Sequence, residues 1–153
     1  MLFVIKLAGF ILITAAATLT GVSLSAGLKK RAETLNWYVR TVGIIGDKIR
    51  YSSAELSTVL EEIPNHDGFF AVHSPFRVEV LQNGLNPEDA QTVNEFFSRL
   101  GMGDVAEQIN ICKMYMKELE FRYEDAKREF KEKSKPIKTL GFFAGLGISI
   151  ILI

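Results

Sequence analysis

One cysteine, Cys112, stands in the 153 residues, so no disulfide can form within the chain and nothing argues for an oxidising compartment. Proline is scarce too, with four residues, which leaves long stretches without a helix breaker. Net charge is absent: Lys+Arg and Asp+Glu each number 18, so the total carries no nucleic-acid footprint. His66, Asp67 and His73 match no established zinc spacing and read as loop residues rather than metal ligands. Ser52-Ser53 has no elbow glycines around it. Gly101-Met102-Gly103 lacks the lysine and hydroxyl of a phosphate loop and follows a helix, so it reads as a hinge. No nucleophile–base or acid pair can be assembled. An enzyme is therefore disfavoured, and neither a cofactor nor a small-molecule substrate is expected.

Charge is missing from both ends and concentrated between Lys29 and Lys138. Residues 7–28 form a run of 22 without a charge; as a helix it reaches about 33 Å, enough for a bilayer core of roughly 30 Å. A cleaved signal peptide competes, with Lys6 as its n-region and Ser23, Ser25 and Ala26 near its cut site. However, the stretch is long for a signal core, and Lys29-Lys30-Arg31 follows at once, a cluster that resists translocation. A retained anchor is the expectation. At the other end, 140–153 carry no charge, and 137–153 span about 25 Å as a helix. Local thinning, snorkelling of Lys138, or packing against the first anchor covers that shortfall. Gly141 and Gly145 have the GxxxG spacing that lets helices approach closely in lipid. A basic collar precedes this tail: Lys127, Arg128, Lys131, Lys133, Lys135 and Lys138, against Glu129 and Glu132. It suits a positive-inside flank and attraction to anionic headgroups alike. With basic residues following the first apolar segment and preceding the second, the middle is expected in the cytosol and both ends across the membrane.

Between the apolar ends lie two heptad-like seams. One runs through Leu28, Ala32, Leu35, Val39, Val42, Gly46 and Ile49; the other through Val105, Ile109, Cys112, Met116, Leu119, Tyr123, Ala126 and Phe130. They predict two helices packed antiparallel, with Gly43 and Gly46 allowing close approach. Cys112, on its seam, reads as a buried packing thiol. Asp104 with Glu107 forms a capping-box-like start for the second helix, and Ser52 with Glu55 opens a short one bearing Leu56, Val59, Leu60 and Ile63. Pro64 and residues 65–68 end that helix. The stretch 69–85, interrupted by Pro75 and Gly84, is apolar enough for a core-contacting helix or a strand-like crossing, and a short helix is favoured. Asn86-Pro87-Glu88-Asp89 is a strong helix start, with Ala90, Val93, Phe97 and Leu100 as its buried face and Gly101 as its stop. Trp37, Tyr115 and Phe121 fall off both seams; for Tyr115 and Phe121, packing inside the bundle is favoured over a docking patch.

Two motifs carry a resemblance. Leu28-Lys29-Lys30-Arg31 followed by Ile45-Gly46-Asp47-Lys48-Ile49-Arg50-Tyr51 is similar to a "basic cluster, then Leu-Glu-x-Glu-Ile-x-Tyr" pattern, with Lys48 in place of the second acid. Leu100 to Gln108 matches a "Leu-Gly-x-x-Asp-x-x-x-Gln" hinge and helix start, and the apolar terminus from Leu140-Gly141 matches as well. Ala54-Glu55 replaces a Thr-Pro before the next helix. The chain thus resembles the stage III sporulation protein AB family of endospore-forming bacteria. The resemblance implies an all-helical cytosolic domain similar to the platform proteins of secretion and pilus machines. It also implies a place in the channel complex joining mother cell and forespore, with an ATPase-like cytosolic component and other complex proteins as partners.

The expected architecture is all-α: an antiparallel helical bundle at 29–136 between transmembrane helices at 1–28 and 137–153. The expected role is a non-catalytic scaffold in the mother-cell membrane around the forespore, touching lipids and partner proteins but no nucleic acid. Gly101, Asp104, Gln108, Tyr51, Gly141 and Gly145 are the candidate structural or contact residues, with Asp104 as a cap and Gln108 as a polar contact. The rival is a secreted, C-terminally anchored binding or sensing domain whose signal is cleaved, with His66 and His73 on metal.

Overall fold

Two long helices dominate because little in the sequence breaks them. The computed structural model describes residues 2–51, 56–63, 70–73, 77–80 and 84–152. Helix α1, Leu2–Tyr51, contains no proline. Short α2 is Leu56–Glu61, and α3 is Pro87–Arg99. Helix α4, Val105–Leu152, continues through Pro136. That residue lacks the N–H its turn needs, a defect of about 3 kcal/mol in a helix interior. Strands β1, Phe70–His73, and β2, Arg77–Val80, pair antiparallel with Phe70 opposite Val80 and Val72 opposite Val78. This two-stranded ribbon corrects the short helix read in 69–85: β-branched residues alternate along it, and the connection carries Pro75. Among the described residues, the regular structure apart from this ribbon is helix. The Ser52–Glu55 cap with Ala54, Pro64, the 65–68 cluster with His66 and Asp67, and Pro75 lie outside the described residues.

The chain divides into two compact units, one of residues 1–30 with 126–153 and one of residues 31–125. Their charges differ in sign. The first holds nine basic and two acidic residues, net +7; the second holds nine basic and sixteen acidic residues, net −7.

In the 31–125 unit, α1 contributes Leu35, Tyr38, Val42 and Ile45 to the core, α2 contributes Val59 and Leu60, and Ile63 follows. The ribbon adds Phe70 and Val80; α3 adds Ala90, Val93, Phe96 and Phe97; α4 adds Cys112, Tyr115 and Leu119. Rings link the elements: Trp37–Phe70 at 5.8 Å, Phe70–Phe97 at 5.5 Å and Phe96–Tyr115 at 5.6 Å between centroids. Each such buried side chain stabilises by roughly 1.5–3 kcal/mol relative to exposure. Gly46 faces Cys112, where an added Cβ would sit 3.2 Å from the Cys112 Cβ. The missing side chain thus brings α1 and α4 together. Tyr115 packs inward, but Phe121 does not: it is 73 % exposed, which corrects its assignment to internal packing. Val105, the first residue of the expected α4 seam, is exposed as well.

In the other unit, α1 and α4 meet on small residues. A Cβ on Gly141 would lie 2.9 Å from the Ala17 carbonyl oxygen, and one on Gly21 the same distance from that of Ile137. Gly145 sits equally tightly on Ala17 and Thr14. Backbone-to-backbone approach of this kind gains dispersion contacts along the whole seam. Facing outward are Ile11, Leu12, Leu19, Leu24, Leu140, Phe143 and Ile150, all exposed.

Candidate functional site

The linker into α4 is built by two glycines and two polar side chains. Gly101 and Gly103 have φ of 91° and 87°, left-handed values that cost a residue with a Cβ but not glycine. They turn the chain out of α3 and into α4. Asp104 then caps α4: its Oδ1 accepts the Glu107 N–H at 2.8 Å. Buried Gln108 reaches back along the turn, its Oε1 accepting the Gly101 N–H at 2.9 Å and its Nε2 donating to the Met102 carbonyl. One side chain therefore satisfies two loop backbone groups. Tyr51 ends α1, 80 % exposed, with the Arg50 guanidinium 5.9 Å from its ring centroid. Gly141 and Gly145 belong to the small-residue seam of the other unit.

A second cluster escapes periodicity. Asp89 is 0 % exposed and receives Arg31 Nε at 2.7 Å, Arg31 Nη2 at 3.3 Å and Arg122 Nη1 at 3.2 Å. Arg122 Nε also donates to Glu118 at 3.0 Å. The Asp89 backbone N–H is taken by the Asn86 side chain at 2.7 Å, so the N-cap of α3 fixes where the carboxylate sits. Three helices are tied at one point. In the sequence Arg31 reads as a membrane flank and Asp89 as a first-turn acid. The signal was there: Asp89 shares its helix face with Val93, Phe96 and Leu100, where a carboxylate needs a partner.

Burial shifts two titrating groups in the core of the 31–125 unit. It pushes the Cys112 thiol up to about 11 and the Tyr38 phenol well above its ordinary value. Cys112 is thus a packing thiol. No group of three or more His, Cys, Asp or Glu able to hold a metal occurs among the described residues. A cavity of about 280 Å³ beside the α1–α4 contact is lined by Gly43, Gly46, Arg50, Cys112 and Met116 among others.

The family model for "Stage III sporulation protein AB (spore_III_AB)" matches residues 6–70 and 76–153. The chain belongs to the stage III sporulation protein AB family. Membership implies a role in stage III of sporulation. No curated protein and no solved structure matches the chain. The hinge with Gln108, the ion cluster at Asp89 and the glycine seam all fall within the residues matched to the family, whereas residues 71–75, in and after β1, do not. Among the described residues of this family member, α1 is the helix long and apolar enough to cross a membrane.

Proposed function

We propose that this member of the family is a non-catalytic membrane scaffold of the mother cell–forespore channel complex. In this reading 1–28 and 137–153 both span the mother-cell membrane around the forespore, and 29–136 folds as a helical bundle in the cytosol. The observation that carries it is the helix pair of residues 1–30 and 126–153. Its inner seam is glycine on backbone, its outer surface is exposed apolar side chains, and its remaining charge lies almost wholly at 29–30 and 127–138. That is the distribution a two-span hairpin needs in a bilayer, with basic ends kept on the cytosolic side. The packing of Gly21 on α4 weighs against removal of the first segment as a signal. Partner docking, including an ATPase-like cytosolic component, falls to the acidic 31–125 unit, where Tyr51, Met102 and Phe121 are exposed and the hinge at Gly101, Asp104 and Gln108 fixes the exit of α4.

Topology tests the reading. In a Cys112→Ser background, Gly84→Cys should resist a membrane-impermeant thiol reagent in intact cells and react after permeabilisation. Labelling of intact cells would place the bundle outside the cytosol and end the proposal. Deleting the gene should lower the count of heat-resistant spores.

A further inference from the structure

We propose that the helix pair of residues 1–30 and 126–153 holds an anionic glycerophospholipid, its phosphate on a stripe of basic side chains and an acyl chain in the groove beside them. The inference rests on the membrane reading above and adds the ligand. Two separate features share one face of α4. Arg128, Lys131, Lys135 and Lys138 follow one another at steps of three and four residues, and all four are exposed. One further step of four on that face is Phe142, which with Phe10, Thr14, Ala15, Thr18 and Leu19 lines a cavity of about 530 Å³. The two adjoin along α4: Phe142 lies one turn beyond Lys138, and a Cβ on Gly21 of α1 would be 3.5 Å from the Lys138 Cα. The groove offers no polar recognition of its own. The Thr14 and Thr18 hydroxyls donate to the Phe10 and Thr14 carbonyls of their own helix, at 2.9 and 2.8 Å. The acids of this stretch are Glu129, which pairs with Lys133 at 2.7 Å, and Glu132, so the balance remains positive. Ammonium groups take a phosphate diester as point charges, and an apolar trough takes an alkyl chain by dispersion. A zwitterionic lipid fits the trough equally but brings its own cation to the stripe, so selection acts on headgroup charge.

Electron spin resonance on the full chain in phospholipid vesicles tests this, using phosphatidylglycerol and phosphatidylcholine spin-labelled on the acyl chain. The motionally restricted population should favour phosphatidylglycerol by about fivefold, the factor of a single headgroup contact. The preference should approach unity in Lys131→Gln/Lys135→Gln/Lys138→Gln, whose exposed positions leave the fold intact by circular dichroism. Ala15→Leu/Thr18→Leu, which fills the trough away from the α1–α4 seam, should reduce restricted phosphatidylglycerol while the lysines remain. Equal association of both lipids with the unaltered chain, or a preference that survives the triple substitution, overturns the lipid site while leaving the membrane reading intact. A chain that enters no vesicle and restricts no lipid removes both.

Discussion

Replacing Asp89 with alanine should unfold this protein more readily than any other single change to an exposed or polar residue. The carboxylate is fully buried, and three hydrogen bonds from two guanidinium groups converge on it at 2.7, 3.3 and 3.2 Å. Removing it leaves Arg31 and Arg122, whose side chains are 14 % and 23 % exposed, side by side without their shared counter-charge. Arg122 keeps Glu118 and Glu88, whose side chains are 48 % and 83 % exposed, and Arg31 loses the buried carboxylate it pairs with. Breaking a buried ion pair from one side costs about 3–5 kcal/mol, because the charge left behind stays desolvated without the partner that offset its burial. A small domain has roughly 5–15 kcal/mol in total, so much of the stability is at stake. Asp89→Asn keeps the shape and two acceptor lone pairs but not the charge, and should lose about 1.5–3 kcal/mol. The companion variant Arg31→Met/Asp89→Leu/Arg122→Met should be close to neutral or stabler by about 1–4 kcal/mol, since no ion then has to leave water. Urea unfolding of the full chain in mild detergent, followed by far-UV circular dichroism, measures all three. A loss below about 1 kcal/mol for Asp89→Ala, the worth of an exposed pair, would refute the reasoning. So would a triple variant as damaged as the single one.

Asp104→Ala should cost about 1 kcal/mol in the same assay through the lost cap of α4, and a change near zero would remove that role. Gln108→Leu should cost about 1–3 kcal/mol, because the Gly101 N–H and Met102 carbonyl lose their partner together. Gly141→Leu should push α1 and α4 apart, since even its Cβ meets the Ala17 carbonyl oxygen at 2.9 Å; the chain should unfold at lower urea in detergent, and an unchanged midpoint would count against the seam. Cys112, with its thiol pushed up from 9.0 to about 11, should react with iodoacetamide far more slowly than a free peptide thiol at pH 8. The sign of its linkage is also fixed: the folded state holds the proton longer, so this contribution is complete below pH 9 and declines as the pH rises toward 11. Stability that climbs across that window in wild type, relative to Cys112→Ala, would contradict the burial.

Several of these features were legible in the sequence because they are local. Asn86 and Pro87 announce the start of α3, and Asn86 does accept the Asp89 N–H; Ala90, Val93, Phe97 and Leu100 lie buried at the spacing that marks them. Gly43 and Gly46 hinted at a close α1–α4 approach, as Gly141 and Gly145 did for the apolar ends, and each meets the other helix. The ribbon was not legible. Four residues per strand is too few for a period of two to separate from a short helix, and the pairing of Phe70 with Val80 is a tertiary fact. Seam reading also picked Val39 and Gly46 where the core takes Tyr38 and Ile45 to full burial, since elements other than α4 pack on α1. The Arg31–Asp89–Arg122 cluster joins positions far apart on three helices, and periodicity reads only one helix at a time. Phe121 shows the converse: an aromatic flanked by Glu120 and Arg122 on α4 is as consistent with solvent as with core until its neighbours are in place.

The even count of acids and bases in the whole chain conceals a protein that purification would reveal as two. Stripped of its flanks, the stretch from 31 to 125 carries seven surplus negative charges and should be retained by an anion exchanger at neutral pH. The same surplus sets a rule for whatever comes to it from solution: polyanions are turned away, and the components that arrive fastest are those presenting lysine and arginine.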